Sequence, residues 1–159
     1  MNAEPLPQTA AVPDAAAPVP VPGPAELWVE RTGTRTYTGR SSRGAVVQIG
    51  PDTVIGAFTP GELLKIALAG CTGMTSDSAF ARRLGADFAA TVRVAGPKHQ
   101  DDDLYPELNE ELVVDLSALD PAERERLLTV VHRAVEQHCT VARTLTTGAT
   151  VELTVTGER

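Results

Sequence analysis

The sequence predicts an α+β fold on antiparallel sheet, and three observations carry that expectation. Strand-like runs follow one another across short turn signals, as hairpins do. Two long helical runs with clear start signals are segregated from them. The regular strand–helix–strand alternation of a doubly wound parallel sheet is absent. The predicted order is three strands, a long helix, two strands, a second helix with a short helical piece, and a last strand.

Residues 1–24 precede this pattern and hold 7 of the chain's 12 prolines, 6 alanines, and no lysine, arginine or aromatic residue. A segment so composed buries too little to offset its ordering entropy, and is read as a disordered tail. The folded domain is read as residues 25–159, beginning near Leu27 and Trp28. Leu27 to Arg31, Thr34 to Thr38 and Ala45 to Ile49 are rich in β-branched and aromatic residues. Thr32-Gly33 and the run from Gly39 to Gly44 separate them, which places Arg40 and Arg43 in a turn. The first helix has a capping box, with Thr59 as N-cap, Pro60 at N1 and Glu62 at N3. It ends on Arg82 and Arg83 with Gly85 beyond, a span of about 25 residues or roughly 37 Å. Its middle, Leu63 to Cys71, is apolar almost all round, so it demands burial on every face. About 135 ordered residues can hardly enclose it alone, so a second subunit is expected. Phe88 to Val94 and Glu111 to Leu116 read as strands. Asp120-Pro121-Ala122-Glu123 repeats the cap logic, opening a helix buried through Leu127, Leu128, Val131, Ala134 and Val135 that ends near His138-Cys139. Thr140 to Leu145 is a short helical piece stopping at Gly148. Thr150 to Thr156 alternates as a final strand.

The formal charge is −7, from 21 acidic and 14 basic residues. That leaves no basic footprint for nucleic acid or an anionic membrane, and points to small molecules or proteins as partners. No apolar stretch approaches membrane-crossing length. There is no secretory n- and h-region, and two cysteines are too few for a disulfide scaffold; a cytoplasmic location is expected.

Those two cysteines, Cys71 inside the apolar helix and Cys139 at a later helix end, carry the chemistry. A thiolate is the reactive species, and a nearby cation favours it. Oxidation of one thiol to a sulfenic acid, followed by condensation with the second, needs two cysteines that meet in space. Free cysteine usually only packs, and inert packing is one reading of this pair; the surrounding sequences shift the balance. Phe58 to Leu64 with Ala67 to Met74 resembles the first-cysteine helix of the OsmC/Ohr family. Val135 to Leu145 is similar to that family's second-cysteine segment, and the order of elements over residues 27–157 agrees. The likeness is to the general OsmC-like branch rather than the narrower Ohr branch.

The resemblance implies an OsmC-like, intertwined homodimer with long helices at its centre. It further implies a peroxidase that reduces organic hydroperoxides in oxidative stress defence, with Cys71 as attacking thiol and Cys139 as resolving thiol. The reductant it implies is a dithiol, such as lipoyl groups on proteins. The arginine that serves the first thiol in the family is assigned to Arg40, with Arg43 second. The glutamate that the Ohr branch carries ten positions before the first cysteine is replaced by Gly61. Glu62 is the neighbouring candidate, although the cap accounts for it, and nine residues at about 100° turn it away from Cys71. Thr140 stands where the family usually has proline. The missing glutamate motivates an alternative, an OsmC-fold module that binds a small ligand or partner without a peroxidase cycle. Among the rest, Cys71, Cys139, His132 and His138 lack metal-site spacing, and no cofactor is read. His99 with Asp101-Asp102-Asp103 reads as a solvated loop. Trp28, Tyr37 and Met74 read as core or interface, Met74 also as a candidate pocket residue.

Overall fold

A computed structural model describes residues 24–157; the expected tail, apart from Pro24, lies outside them. The elements run β1 (Leu27–Gly33), β2 (Thr36–Ser41), β3 (Val46–Ile49), α1 (Pro60–Leu84), β4 (Ala90–Ala95), β5 (Asn109–Val114), α2 (Pro121–His138) and α3 (Thr140–Thr147). The architecture is α+β, with two separate antiparallel sheets, one ordered β1-β2-β3 and one ordered β4-β5.

The first hairpin turns later than the sequence suggested. Thr34 and Arg35 form the turn, with Arg35 at φ 57, and Gly33 sits at a register irregularity opposite Thr36. A glycine there accepts close approach, since the Thr36 hydroxyl lies against the space a side chain would need. β2 therefore runs on through Gly39 and Arg40, and Arg40 is a strand residue facing Trp28 on one side and Val46 on the other, not a turn residue.

α1 matches its expected caps. Thr59 Oγ1 accepts from the Glu62 N–H at 3.2 Å, and Glu62 Oε2 accepts from the Thr59 N–H at 2.7 Å. Pro60 at N1 has no N–H to satisfy. One stripe of the helix, Leu68, Thr72, Ser76 and Phe80, is buried. Phe80 joins Leu127 and Val131 of α2 in the core, with Phe88, Leu112, Val114 and Leu116 packed around it; the Phe80 and Phe88 rings are 5.6 Å apart. The expected burial on all faces is not met within one chain. Ile66 and Met74 are exposed, Met74 by 82%, and they border an open groove of about 760 Å³ between α1 and the β4-β5 sheet.

The expected last strand is corrected. Residues 150–157 form no regular element, and Val151, Leu153 and Val155 are 86–90% exposed. Their alternation is that of a strand, but among the described residues no sheet edge pairs with them, and a strand exists only through its neighbour. The loop after β4 is tied by an ion pair between Lys98 and Asp103 and by His99 Nδ1 to Asp102 Oδ2 at 3.1 Å. No helix among the described residues is long and apolar enough to cross a membrane.

Candidate active site

The chain changes direction at Cys139, which is at once the C-cap of α2 and the N-cap of α3, and its thiol makes no ordinary cap hydrogen bond. The first N–H groups of a helix have no partners within it and take acceptors from elsewhere. Here α3 butts against the middle of α1. The N–H groups of Thr140 and Val141 face the sulfur of Cys71, and that of Ala142 faces the sulfur of Cys139.

The structure brings Cys71 and Cys139 together as free thiols, Cys71 half-buried and Cys139 wholly buried. Desolvation pushes the Cys71 thiol up. Hydrogen bonding from the Cys139 thiol, the Val141 N–H, the Thr75 hydroxyl and the Thr140 N–H outweighs it and holds Cys71 below the ordinary thiol range. Thiolates are favoured at helix N-termini for this reason. Cys139 moves the other way. Burial and the hydrogen bond it makes to Cys71 raise it, against weaker help from the Ala142 N–H. Of the two thiols, Cys71 is therefore the more readily ionised and Cys139 the more readily kept protonated.

Beyond the sulfurs lie residues that sequence reasoning missed. The Thr72 hydroxyl donates to Glu110 Oε2 on β5 at 3.1 Å and stands 3.9 Å from Cys139 Sγ. Thr75 sits one turn after Cys71. Position i+4 on a helix was a readable signal for Thr75, whereas Glu110 reaches the site only through the packing of β5, which no spacing reveals.

The other sequence candidates lie elsewhere. Arg40 Nε is 2.7 Å from Glu30 Oε2 across the β1-β2 pair. That contact, helped by the Trp28 indole, lowers the Glu30 carboxyl, and among the described residues no arginine is one of the groups that shift Cys71. Arg43 is in the turn after β2. Glu62 is engaged in the cap, its carboxyl lowered by the Thr59 hydrogen bonds. Among the described residues no group of three or more His, Cys, Asp or Glu side chains is arranged to hold a metal ion.

Gly61 has a structural reason. The Tyr105 hydroxyl occupies the space that a Cβ at position 61 would take. The Tyr105 ring is held from above by Lys65 Nζ, 4.4 Å from its centroid, and Lys65 is itself anchored to the Gly96 carbonyl at 2.7 Å. Tyr105 lines a mostly apolar cavity of about 610 Å³, whose walls also include Leu64, Leu68, Leu145, Ala142 and Glu110. The last two touch the sulfur pair's own neighbourhood.

The sequence model of the family described as OsmC-like protein matches residues 50–154. An uncharacterised protein of Mycobacterium tuberculosis is 58% identical over 130 residues, covering 82% of this chain and 95% of the relative. An OsmC-like protein of unknown function from Vibrio cholerae has the same fold, with a TM-score of 0.56 at 15% identity over 77% of this chain and 93% of its own. The organic hydroperoxide resistance protein of Bacillus subtilis is similar in fold at a TM-score of 0.50 and 20% identity, over 77% of this chain and 90% of its own. The thiol-bearing helices fall inside the matched region, and the chain belongs to the OsmC-like protein family.

Proposed function

We propose that this chain is a thiol-dependent peroxidase that reduces organic hydroperoxides to alcohols. The observation that carries the reading is the unequal thiol pair: a half-buried Cys71 held toward thiolate by α3, against a buried Cys139 held protonated. The Cys71 thiolate attacks the distal peroxide oxygen, the O–O bond breaks, and the alkoxide takes up a proton and leaves as alcohol. Cys71 is then a sulfenic acid. Attack by Cys139 closes the Cys71–Cys139 disulfide and releases water, and an external dithiol, such as a protein-borne lipoyl group, reduces it. The fold likeness to a protein named for organic hydroperoxide resistance supports this substrate class.

The reading includes a homodimer. Among the described residues no cation is among the groups that shift the Cys71 thiol, and the β1-β2-β3 sheet makes no extensive contact with the helices. In the dimer, Arg40 from the partner's sheet, with Arg43 second, would supply the guanidinium, while Glu62 keeps its capping role. The test is rapid mixing of reduced protein with cumene hydroperoxide. Wild type consumes the peroxide, and Cys71→Ser loses essentially all turnover. A Cys71→Ser variant as fast as wild type would sink the mechanism.

A second reading has its own observation. Tyr105 fills the place of the Ohr-type glutamate and lines an apolar cavity, which suits a module that binds an apolar ligand without turnover. Thiols that stay reduced and intact in mass through a peroxide pulse would favour it.

A further inference from the structure

Closing the disulfide poses a problem that the thiol geometry alone does not solve. Cys139 is wholly buried, and it attacks only after its proton leaves. In the resting pair the neighbouring Cys71 sulfur favours a protonated Cys139. Once Cys71 is a sulfenic acid, that sulfur is the electrophile, and Cys139 must present a lone pair to it. The S–H then needs another acceptor. The Thr72 oxygen, 3.9 Å from Cys139 Sγ, is placed to take it, because the Thr72 hydrogen is already committed to Glu110 Oε2 at 3.1 Å. A hydroxyl that donates to a carboxylate keeps its lone pairs free to accept. The chain also runs outward: Cys139 at 0% exposure, Thr72 at 6%, and Glu110 exposed at the edge of the apolar cavity.

We propose that Thr72 and Glu110 form the proton outlet of Cys139, with Glu110 as the receiving base and Thr72 as the relay, in the disulfide-closing step. The Cys139 proton passes to the Thr72 oxygen as the Thr72 proton passes to Glu110. The Cys139 sulfur bonds to Cys71, and the sulfenic S–O bond breaks. The departing hydroxide leaves as water by taking up a proton, which Glu110 returns. One S–S bond and one water replace one S–O and one S–H bond, with no outside oxidant. The proposal rests on the peroxidase reading for its natural substrate, but the outlet serves any leaving group on Cys71.

That separation sets the experiment. Reduced full-length protein is mixed with one equivalent of 5,5′-dithiobis(2-nitrobenzoate), and thionitrobenzoate release is followed by absorbance. The first release reports attack by Cys71 and the second reports closure by Cys139. A parallel arm uses cumene hydroperoxide, with Cys71 sulfenic acid trapped by dimedone. Glu110→Gln keeps the shape and the acceptor for Thr72 but is a far weaker base; Thr72→Val removes the relay. Both are expected to leave the first release at the wild-type rate and to slow the second by about 100-fold, the usual worth of a positioned base. Both should also accumulate trapped sulfenic acid, and Thr72→Ser should close at near the wild-type rate, which a mere packing role for the threonine methyl would not restore. Wild-type closure in Glu110→Gln, or equal slowing of both releases, overturns the outlet. If the aryl disulfide arm behaves as expected while peroxide oxidises neither thiol, the outlet stands and the peroxidase reading falls.

Discussion

Cys71 and Cys139 share one helix junction, yet their surroundings treat the proton in opposite ways, because three hydrogen-bond donors besides Cys139 converge on Cys71 while burial dominates at Cys139. Reactivity should follow. A depressed thiol stays ionised as pH falls until its own pKa is passed, so Cys71 should alkylate with iodoacetamide at pH values where an ordinary cysteine of pKa about 8.5 is mostly protonated. Cys139 should stay unmodified there. Cys139→Ala removes one donor, so the Cys71 titration midpoint should rise; peptide mapping across a pH series reads both effects. Position 61 offers a second test. Gly61→Ala places a methyl against the Tyr105 hydroxyl, and overpacking should cost about 1–3 kcal/mol in urea unfolding. The loss should largely vanish in a Tyr105→Ala background, where the clash is absent. The glycine was legible in the sequence as a departure from a motif; its cause was not, since Tyr105 arrives from a distant loop that local pattern cannot place.

At the scale of elements, the helix boundaries were the most readable part of the chain because caps are local chemistry. Thr59, Glu62, Asp120 and Glu123 make both predicted capping boxes. Thr59→Ala and Asp120→Ala should each cost about 1 kcal/mol, whereas Phe80→Ala, which empties the centre of the core, should cost about 3–5 kcal/mol; chemical denaturation separates the two classes. Strands were less legible. Gly33 drew the first turn too early, because a glycine signals freedom without saying whether a turn or a bulge uses it. Arg40 consequently moved from a turn into β2, opposite Trp28. The segment 150–157 carries a strand's alternation, but pairing belongs to two segments, and no second one lies beside it among the described residues.

Among the described residues of the molecule, large apolar side chains stand open on several elements. Met74 and Ile66 on α1, Val151, Leu153 and Val155 at the end of the described residues, and Leu27 and Val46 on the first sheet are all exposed. Self-association would cover them, so sedimentation should show a dimer, and Val151→Asp with Leu153→Asp should shift it toward monomer and reduce peroxide turnover together. The sequence announced the need for a partner through the apolar helix, because hydrophobicity is a property of residues. Which surfaces meet was not legible, because that depends on shape. The start of α3 beside Cys71 has one more consequence, for electrochemical potential. Amides that stabilise the Cys71 thiolate stabilise the reduced protein and not the disulfide, so they make the disulfide a stronger oxidant and easier for a dithiol to open. Proline at position 140 would keep α3, since proline suits the first helical position, while deleting one of those amides. Thr140→Pro should therefore lower the midpoint potential in a dithiothreitol redox buffer, by about 30 mV for each tenfold loss of preference for the reduced form.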